Sequence, residues 1–282
     1  IEAKPPLAVI AEPTIIERAP RELTTAGFGD TIAKHQSNGD WTMNSLFLDE
    51  HYCSFCAAIA GDLEPLYLDH PEYLCERRPE AVRGLFEALF WAGVAMTLMG
   101  TSIPASGGEH LLSHTLDMMA EIRGESHDLH GRQVGVGTVL SAALFERVLA
   151  VENPDVGRLP PPMDEAFWID PSVAAAIREQ DRAKRPRLEL LRERLKQKNL
   201  WDQARRRVAA QVKSPQAIRD WLTRAGAAVC AVDIGCSRER MREAILHMHE
   251  IRKRPTIIDL AWLTGVLPAA IDDIMDQWLC GS

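Results

Sequence analysis

Residues 106–122 read SGGEHLLSHTLDMMAEI and predict an amphipathic helix that opens with a capping box. Ser106 and Glu109 have the S-x-x-E spacing, so Ser106 is the predicted N-cap and the helix is expected to start at the next residue. His110 and His114 then lie one turn apart on one face. Apolar residues occupy the other side: Leu112, Leu116 and Met119. An ordinary surface helix has the same two faces, so this stretch alone leaves surface and ligand-binding interpretations open.

Composition places the chain among soluble globular proteins. It has 282 residues, 46% of them hydrophobic, which suits one large domain or two modest ones. Its formal net charge of -8 argues against general nucleic-acid binding. No run of about 18 or more uncharged apolar residues is present, so we expect no membrane insertion.

The pair Cys53 and Cys56 has no second C-x-x-C to complete a zinc ribbon. Structural thiols, and hence a reducing cytoplasm, are the favoured interpretation.

Helical periodicity dominates the chain after about Pro20. Only residues 6–16, PLAVIAEPTII, resemble a strand. No glycine-rich turn joins a strand to a helix, as a dinucleotide-binding domain would require. The predicted helices include residues 83–99, 107–122, 134–151, 237–249 and 256–263, with a proline-rich loop at 153–162. We therefore predict an all-α domain with a short N-terminal strand.

One segment of the acidic chain is basic. Residues 178–207 carry twelve Lys or Arg against five Asp or Glu. A nucleic-acid surface would usually add interleaved aromatic residues, and only Trp201 is there. We interpret the segment as two solvated basic helices separated at Pro186.

Histidines and one aspartate form the strongest chemical signal. A second histidine pair follows in HDLHG at 127–131, so four of the nine histidines fall within 21 residues. Imidazole is the commonest transition-metal ligand, and two imidazoles usually share a metal with a carboxylate. The best upstream donor is Asp30, where Gly27 and Gly29 let other groups come close. A simple helix N-cap is an equally open role for Asp30.

Five motifs in order carry a resemblance to a known family. They are GFGD at 27–30, DW at 40–41, SGGEHLLSH at 106–114, HGRQVGVGT at 130–138 and IRKRPTIIDLA at 251–261. In this order the chain resembles the sn-glycerol-1-phosphate dehydrogenase family, within the iron-containing alcohol dehydrogenase and dehydroquinate synthase-like superfamily. The resemblance implies that residues 21–282 are the helical, metal- and substrate-binding C-terminal domain. It implies that residues 1–20 are a strand and linker remnant of an α/β nucleotide-binding domain expected to lie outside this sequence.

The same resemblance assigns roles to site residues. It implies that Asp30, His110 and His130 are the metal ligands and that His114 is a catalytic residue near the substrate. Asp30 is also expected to contact the substrate. A phosphate needs cations, and the candidates are Lys34, Arg252 and Arg254, although exposed charges at helix ends are an equally open role for each of them. No residue of this chain is assigned to the nucleotide.

The implied reaction is reduction of dihydroxyacetone phosphate to sn-glycerol 1-phosphate. NADH or NADPH would supply the hydride through the absent domain, so this chain alone is expected to be inactive. Zinc is the expected metal, with nickel or iron as alternatives, and the only predicted partner is a small phosphorylated substrate, with self-association left open. The competing interpretations are a glycerol or other polyol dehydrogenase of the same superfamily and a non-catalytic helical interaction module.

Overall fold

Helices joined by short turns make up the structure, a computed structural model that describes residues 6–157 and 159–280. The α-helices in these residues are α1 (Pro13–Glu17), α2 (Arg21–Ile32), α3 (Lys34–Leu48), α4 (Ser54–Ala58), α5 (Glu64–Leu68), α6 (Glu72–Cys75), α7 (Pro79–Met99), α8 (Gly108–Arg123), α9 (His130–Ala150), α10 (Pro171–Leu195), α11 (Lys198–Ala209), α12 (Pro215–Ala225), α13 (Arg238–His247), α14 (Ile257–Leu263) and α15 (Ile271–Ile274). Short 3₁₀ turns lie at Gly61–Leu63 and Val232–Ile234, and a π-helical turn at Met275–Leu279. The prediction of a helical domain is confirmed for the described residues, none of which forms a strand.

Helix α9 lies at the centre and packs against α2, α8, α12 and α14. Glycines let two of these neighbours approach its backbone. A Cβ atom at Gly29 would overlap the carbonyl oxygen of Gly131, and one at Gly131 would overlap that of Ala26. A Cβ atom at Gly137 would overlap the carbonyl oxygen of Glu109. The backbones of α2 and α8 are thereby held against the first two turns of α9, because only glycine permits such close contact.

The predicted N-terminal strand at 6–16 is wrong for the described residues. Glu12 caps α1 by accepting from the backbone N–H of Thr14, and Pro13 takes the first helical position, where a missing N–H costs nothing. Leu7 and Ile10 are fully or almost fully exposed. A strand needs a neighbouring strand to pair its backbone groups, and the described part of the chain offers none. The boundary between residues 1–20 and 21–282 remains a prediction.

Pro186 does not separate the basic segment into two helices. It lies inside α10, which continues to Leu195, and the break comes instead at residues 196–197. Ion pairs with other parts of the chain use several of the basic side chains. Arg187 pairs with Glu50, and Arg194 with Asp49 at 2.6 Å. These ion pairs to the residues after α3, together with the packing of α10 on α3, stabilise α10 despite the proline.

Two helices have the length and apolar composition to cross a membrane, namely α7 and α9. In α9, 78% of the most apolar window is buried inside the protein, which identifies it as the central core helix. In α7 only 28% of that window is buried, and one side packs on α2 and α5. Phe90, Trp91 and Leu98 remain exposed on α7.

A fully buried ion pair fixes the chain beside α14. Lys184 of α10 lies 2.8 Å from Asp259 Oδ1 and also donates to the carbonyl oxygen of His249. The second carboxylate oxygen of Asp259 accepts from the backbone N–H of Thr256, which closes the capping box of α14. The segment between His249 and Thr256 is thus held at both ends.

Candidate metal and substrate site

A cavity of about 290 Å³ lies between α2, α7, α8 and the first residue of α9. One wall is apolar and includes Tyr67, Leu89 and Met96. The polar residues face it from the other elements: Asp30, Lys34, His110, His114, His130 and Arg252. The cavity therefore collects six of the seven residues that the sequence singled out.

Asp30, His110 and His130 converge at this cavity. The Nε2 atom of His110 lies 3.1 Å from Asp30 Oδ1, and the Nε2 atom of His130 lies 3.8 Å from the same oxygen. One ligand atom from each residue lies within 4.8 Å of the other two. Close backbone packing explains the convergence. Each of the three residues is next to a residue in the glycine contacts: Asp30 follows Gly29, His110 follows Glu109, and His130 precedes Gly131.

Asp30 does not open a helix, contrary to one of its two predicted roles. It lies in the last turn of α2, so it is not an N-cap. Its Oδ1 atom is buried and lies 3.1 Å from His110 Nε2. Burial opposes its ionisation, but the hydrogen bond and charge of His110 outweigh this and hold the pKa of Asp30 below its usual value. Such a carboxylate, facing two imidazole nitrogens, fits a divalent metal ion.

Glu109 orients His110 from the opposite side. Its Oε1 atom lies 3.0 Å from His110 Nδ1 and accepts from the backbone N–H of Gly107 at 2.6 Å. Because the carboxylate can only accept, Nδ1 carries a proton and Nε2 faces Asp30. Burial favours the neutral imidazole, but hydrogen bonds to Asp30 and Glu109 prevail and raise the pKa of His110 to about 9. Metal-binding histidines commonly have such a carboxylate behind them.

The Nδ1 atom of His130 faces a neutral side chain, where that of His110 faces the Glu109 carboxylate. Its Nδ1 atom lies 2.9 Å from Ser113 Oγ, and that hydroxyl donates to Gln133 Oε1 at 2.7 Å. Ser113 and Gln133 are both buried, whereas the side chain of His130 is 42% exposed. The buried hydroxyl of Ser113 therefore holds the more exposed imidazole of His130 in place.

His114 lies one turn beyond His110, with ring centroids 6.1 Å apart. Its ring centroid is 5.3 Å from that of His130. Burial and the positive charge of Arg252 lower the pKa of His114 to about 4. His114, Asp117 and His130 form a second group whose ligand atoms lie within 4.8 Å of one another. Since this group shares His130 with the first, the two are alternative positions for one ion.

The predicted cap of α8 is wrong by one residue. Gly107 is the N-cap, and Ser106 makes no capping bond. Asp40 of α3 supplies the missing acceptor, because its two oxygens accept from the backbone N–H of Gly108 at 2.7 Å and of Ile257 at 2.6 Å. One buried carboxyl group thus caps both α8 and α14. Burial and the nearby charge of Glu109 raise the pKa of Asp40 well above its usual value.

Only two of the three predicted phosphate-binding cations reach the cavity. Burial lowers the pKa of Lys34, which lies 4.0 Å from Glu64. Burial and the charge of Arg254 lower the pKa of Arg252 to about 10, so it remains protonated at neutral pH. Arg254 does not line the cavity. It is 9% exposed and donates to the carbonyl oxygen of Ser106, and its substrate contact stays a prediction.

Sequence reasoning missed the residues that hold the histidines in place. The sequence pattern assigns Glu109 only to a capping box. Ser113 lies three residues after His110, and Gln133 three residues after His130. That i+3 spacing puts each beside a histidine on the same helix face, which is the signal that could have found them. Arg132, the neighbour of Gln133, instead pairs with Asp128 at 2.8 Å.

The fold and the site together define a helical domain with a candidate His/Asp metal group beside a cationic cavity. The glycerol-1-phosphate dehydrogenase (NAD(P)+) of Geobacillus stearothermophilus is 30% identical over 252 residues, 89% of this chain and 56% of the relative. That of Bacillus licheniformis is 24% identical over 271 residues, 96% of this chain and 57% of the relative. That of Pyrococcus furiosus is 39% identical over 144 residues, 51% of this chain and 40% of the relative. No protein-family profile matches the chain.

The chain is a homologue of the glycerol-1-phosphate dehydrogenases. It spans about half the length of the curated relatives it matches, and this half is helical in the described residues. The resemblance drawn from the five sequence motifs is thereby confirmed.

Proposed function

We propose that this chain is the metal- and substrate-binding part of an NAD(P)H-dependent enzyme that reduces dihydroxyacetone phosphate to sn-glycerol 1-phosphate. The observation that carries the proposal is one cavity that joins the Asp30, His110 and His130 group to Lys34 and Arg252. The activity and nucleotide for which the relatives are named support this proposal. The nucleotide would be bound outside the described residues.

Asp30, His110 and His130 would hold a divalent metal, zinc first, with nickel or iron as alternatives. When bound, the metal supplies Lewis-acid polarisation of the substrate carbonyl. The chain's own contribution is orientation: Glu109 and Ser113 keep the two Nε2 atoms turned towards Asp30. The apolar wall, which includes Leu89 and Met96, would limit the access of water to the reacting carbonyl.

His114 is the proposed catalytic residue that contacts the reacting oxygen. Its ring faces the cavity within 5.3 Å of the His130 ring and does not belong to the Asp30 group. An imidazole there can donate a hydrogen bond to the oxygen that gains negative charge as hydride arrives. Asp30, also at the cavity wall, would fix the substrate's position from the opposite side.

The cationic side of the cavity is the proposed phosphate site. Arg252 donates to both the hydroxyl and the carbonyl oxygen of Ser106, at 3.0 and 3.2 Å, which fixes its guanidinium at the cavity wall. Lys34 adds a second positive charge from α3. Arginine suits a phosphate because it can donate two parallel hydrogen bonds.

We expect Arg252→Met to reduce the preference for dihydroxyacetone phosphate over dihydroxyacetone. A charge-assisted hydrogen bond contributes roughly 1.5–3 kcal/mol, so kcat/KM for the phosphorylated substrate should fall about 10- to 150-fold. That for dihydroxyacetone should change little. The measurement is NADH oxidation by the natural polypeptide that contains these 282 residues, with both substrates.

Arg254→Met is the matched control, because Arg254 donates to the same carbonyl oxygen of Ser106 without lining the cavity. It should leave the substrate preference unchanged. An unchanged preference in Arg252→Met as well would place the phosphate elsewhere. A wild-type enzyme with no preference would favour a glycerol or polyol dehydrogenase, and absence of bound metal would favour a non-catalytic module.

We propose a cytoplasmic enzyme whose partner is a small phosphorylated molecule, without nucleic acid or membrane insertion. The net charge of -8 supports the exclusion of nucleic acid. The buried central position of α9 supports its role in a core rather than a bilayer. Self-association into a homo-oligomer is compatible with the exposed apolar residues of α7.

A further inference from the structure

We propose that Ser113 and Gln133 are positioning residues that fix the tautomer and direction of the His130 imidazole. This inference rests on the proposed function only in assigning His130 as a metal ligand. The two metal-facing histidines are held by different means. Glu109 holds His110 with a charged carboxylate, whereas His130 is held by a neutral hydroxyl and amide.

The hydrogen bonds run in one direction. Ser113 Oγ gives its only proton to Gln133 Oε1 at 2.7 Å. The hydroxyl can then only accept from His130, so Nδ1 carries the proton and Nε2 keeps its lone pair. That lone pair faces Asp30 Oδ1 at 3.8 Å. Gln133 therefore determines the protonated nitrogen of a residue that it does not itself contact.

His130 depends on this arrangement more than His110 does. It is the first residue of α9, and 42% of its side chain is exposed, so packing restrains the ring weakly. His110, with 9% of its side chain exposed, is enclosed on α8. Ser113 is completely buried and Gln133 is 2% exposed, so both present enclosed groups to a partly exposed ring.

The arrangement spans two helices, so the local chain around His130 does not determine it alone. Ser113 belongs to α8, as His110 does, while Gln133 belongs to α9. The bond from Ser113 to His130 thus joins the two helices that carry the two histidine ligands. Any change in their separation would alter the direction of the His130 Nε2 atom relative to Asp30.

The test compares zinc affinity and histidine tautomers in wild type and variants of this chain. Zinc affinity is measured by competition with a chromophoric chelator, and the tautomer by ¹⁵N shifts of the His130 ring nitrogens in metal-free protein. Ser113→Ala should weaken zinc binding about 10- to 100-fold, as loss of such outer contacts usually does. It should also abolish the fixed Nδ1–H signature of His130.

Ser141→Ala is the matched control. Ser141 is another fully buried serine, its hydroxyl has no hydrogen-bond partner among the described residues, and it lies eleven residues beyond His130 on α9. Zinc affinity and the His130 shifts should both stay at wild-type values in this variant. Circular dichroism and melting of the metal-free proteins show whether each variant is folded.

Gln133→Glu tests the direction of the hydrogen bonds, because a carboxylate can accept from Ser113 but cannot donate to it. We expect this variant to keep the Nδ1–H signature of His130 and to retain zinc affinity. Loss of both in this variant would contradict the role of Gln133 as an acceptor, and a wild-type His130 protonated at Nε2 would show that Ser113 donates to it; either result would overturn the inference. So would Ser113→Ala with unchanged affinity and tautomer. Wild-type protein that binds no zinc, nickel or iron would refute the proposed metal site itself.

Discussion

Asp30→Asn is expected to lower the bound divalent metal from about one ion per chain to nearly none. Asparagine keeps the size of the side chain but removes the negative charge and one strong ligand oxygen. Asp30 Oδ1 is the atom towards which the Nε2 atoms of His110 and His130 both point. Without it, two imidazoles remain, and a catalytic site normally uses three protein ligands. His110→Ala should empty the site in the same way.

Asp117→Asn is the control for this prediction. Asp117 belongs to the alternative group with His114 and His130, and its side chain is about as exposed as that of Asp30, at 32% against 34%. Elemental analysis after loading with zinc and removal of free metal gives the stoichiometry of each protein. Metal retained in Asp30→Asn but lost from Asp117→Asn would show that the ion binds at the group of His114, Asp117 and His130 instead.

Lys184→Met should lower the free energy of unfolding by roughly 3–5 kcal/mol, the usual cost of removing one member of a buried ion pair. Among the described residues, Asp259 would be left completely buried with the Thr256 backbone N–H as its remaining partner. The carbonyl oxygen of His249 would lose its donor as well. Methionine matches lysine in length, so the loss would come from charge and hydrogen bonding rather than from a cavity. Urea unfolding of the metal-free protein measures the difference.

Arg194→Met provides the comparison for Lys184. Arg194 also lies on α10 and also pairs with an aspartate, at 2.6 Å, but Asp49 is 72% exposed. Water already screens that pair, so its removal should shift the urea midpoint little. Equal destabilisation by the two variants would contradict the importance given to burial. A double variant, Lys184→Met with Asp259→Leu, should recover part of the loss, although it also removes the α14 cap.

Local patterns predicted the helices and the metal group well. The apolar periodicity located α7, α8, α9, α13 and α14 to within a few residues at each end. The density of histidines between residues 110 and 130 identified the side chains that meet at Asp30. Both signals are short-range properties of the chain, which explains why a single sequence contained them. Metal binding itself remains a prediction.

The predictions from sequence failed where residues far apart in the chain determine the local structure. Ser106 has the local pattern of an N-cap, but Asp40, 68 residues before Gly108, accepts that N–H instead. Pro186 is expected to break a helix, yet α10 continues through it to Leu195 while packing against α3 and α11. Arg254 and Arg252 are indistinguishable in the motif, and only the fold shows that one faces the cavity.

The double cap formed by Asp40 also constrains how such sequences can diverge. A Cβ atom at Gly107 would overlap Asp40 Oδ2 and Glu109 Oε2, so a larger residue at 107 is easier to accommodate with a shorter one at 40. That exchange would remove the acceptor from the first N–H groups of two helices at once. Between natural homologues, positions 40 and 107 are therefore expected to co-vary or to remain fixed together, which an alignment of many sequences would measure. Independent substitution at the two positions would show that lineages reach this geometry by separate evolutionary routes.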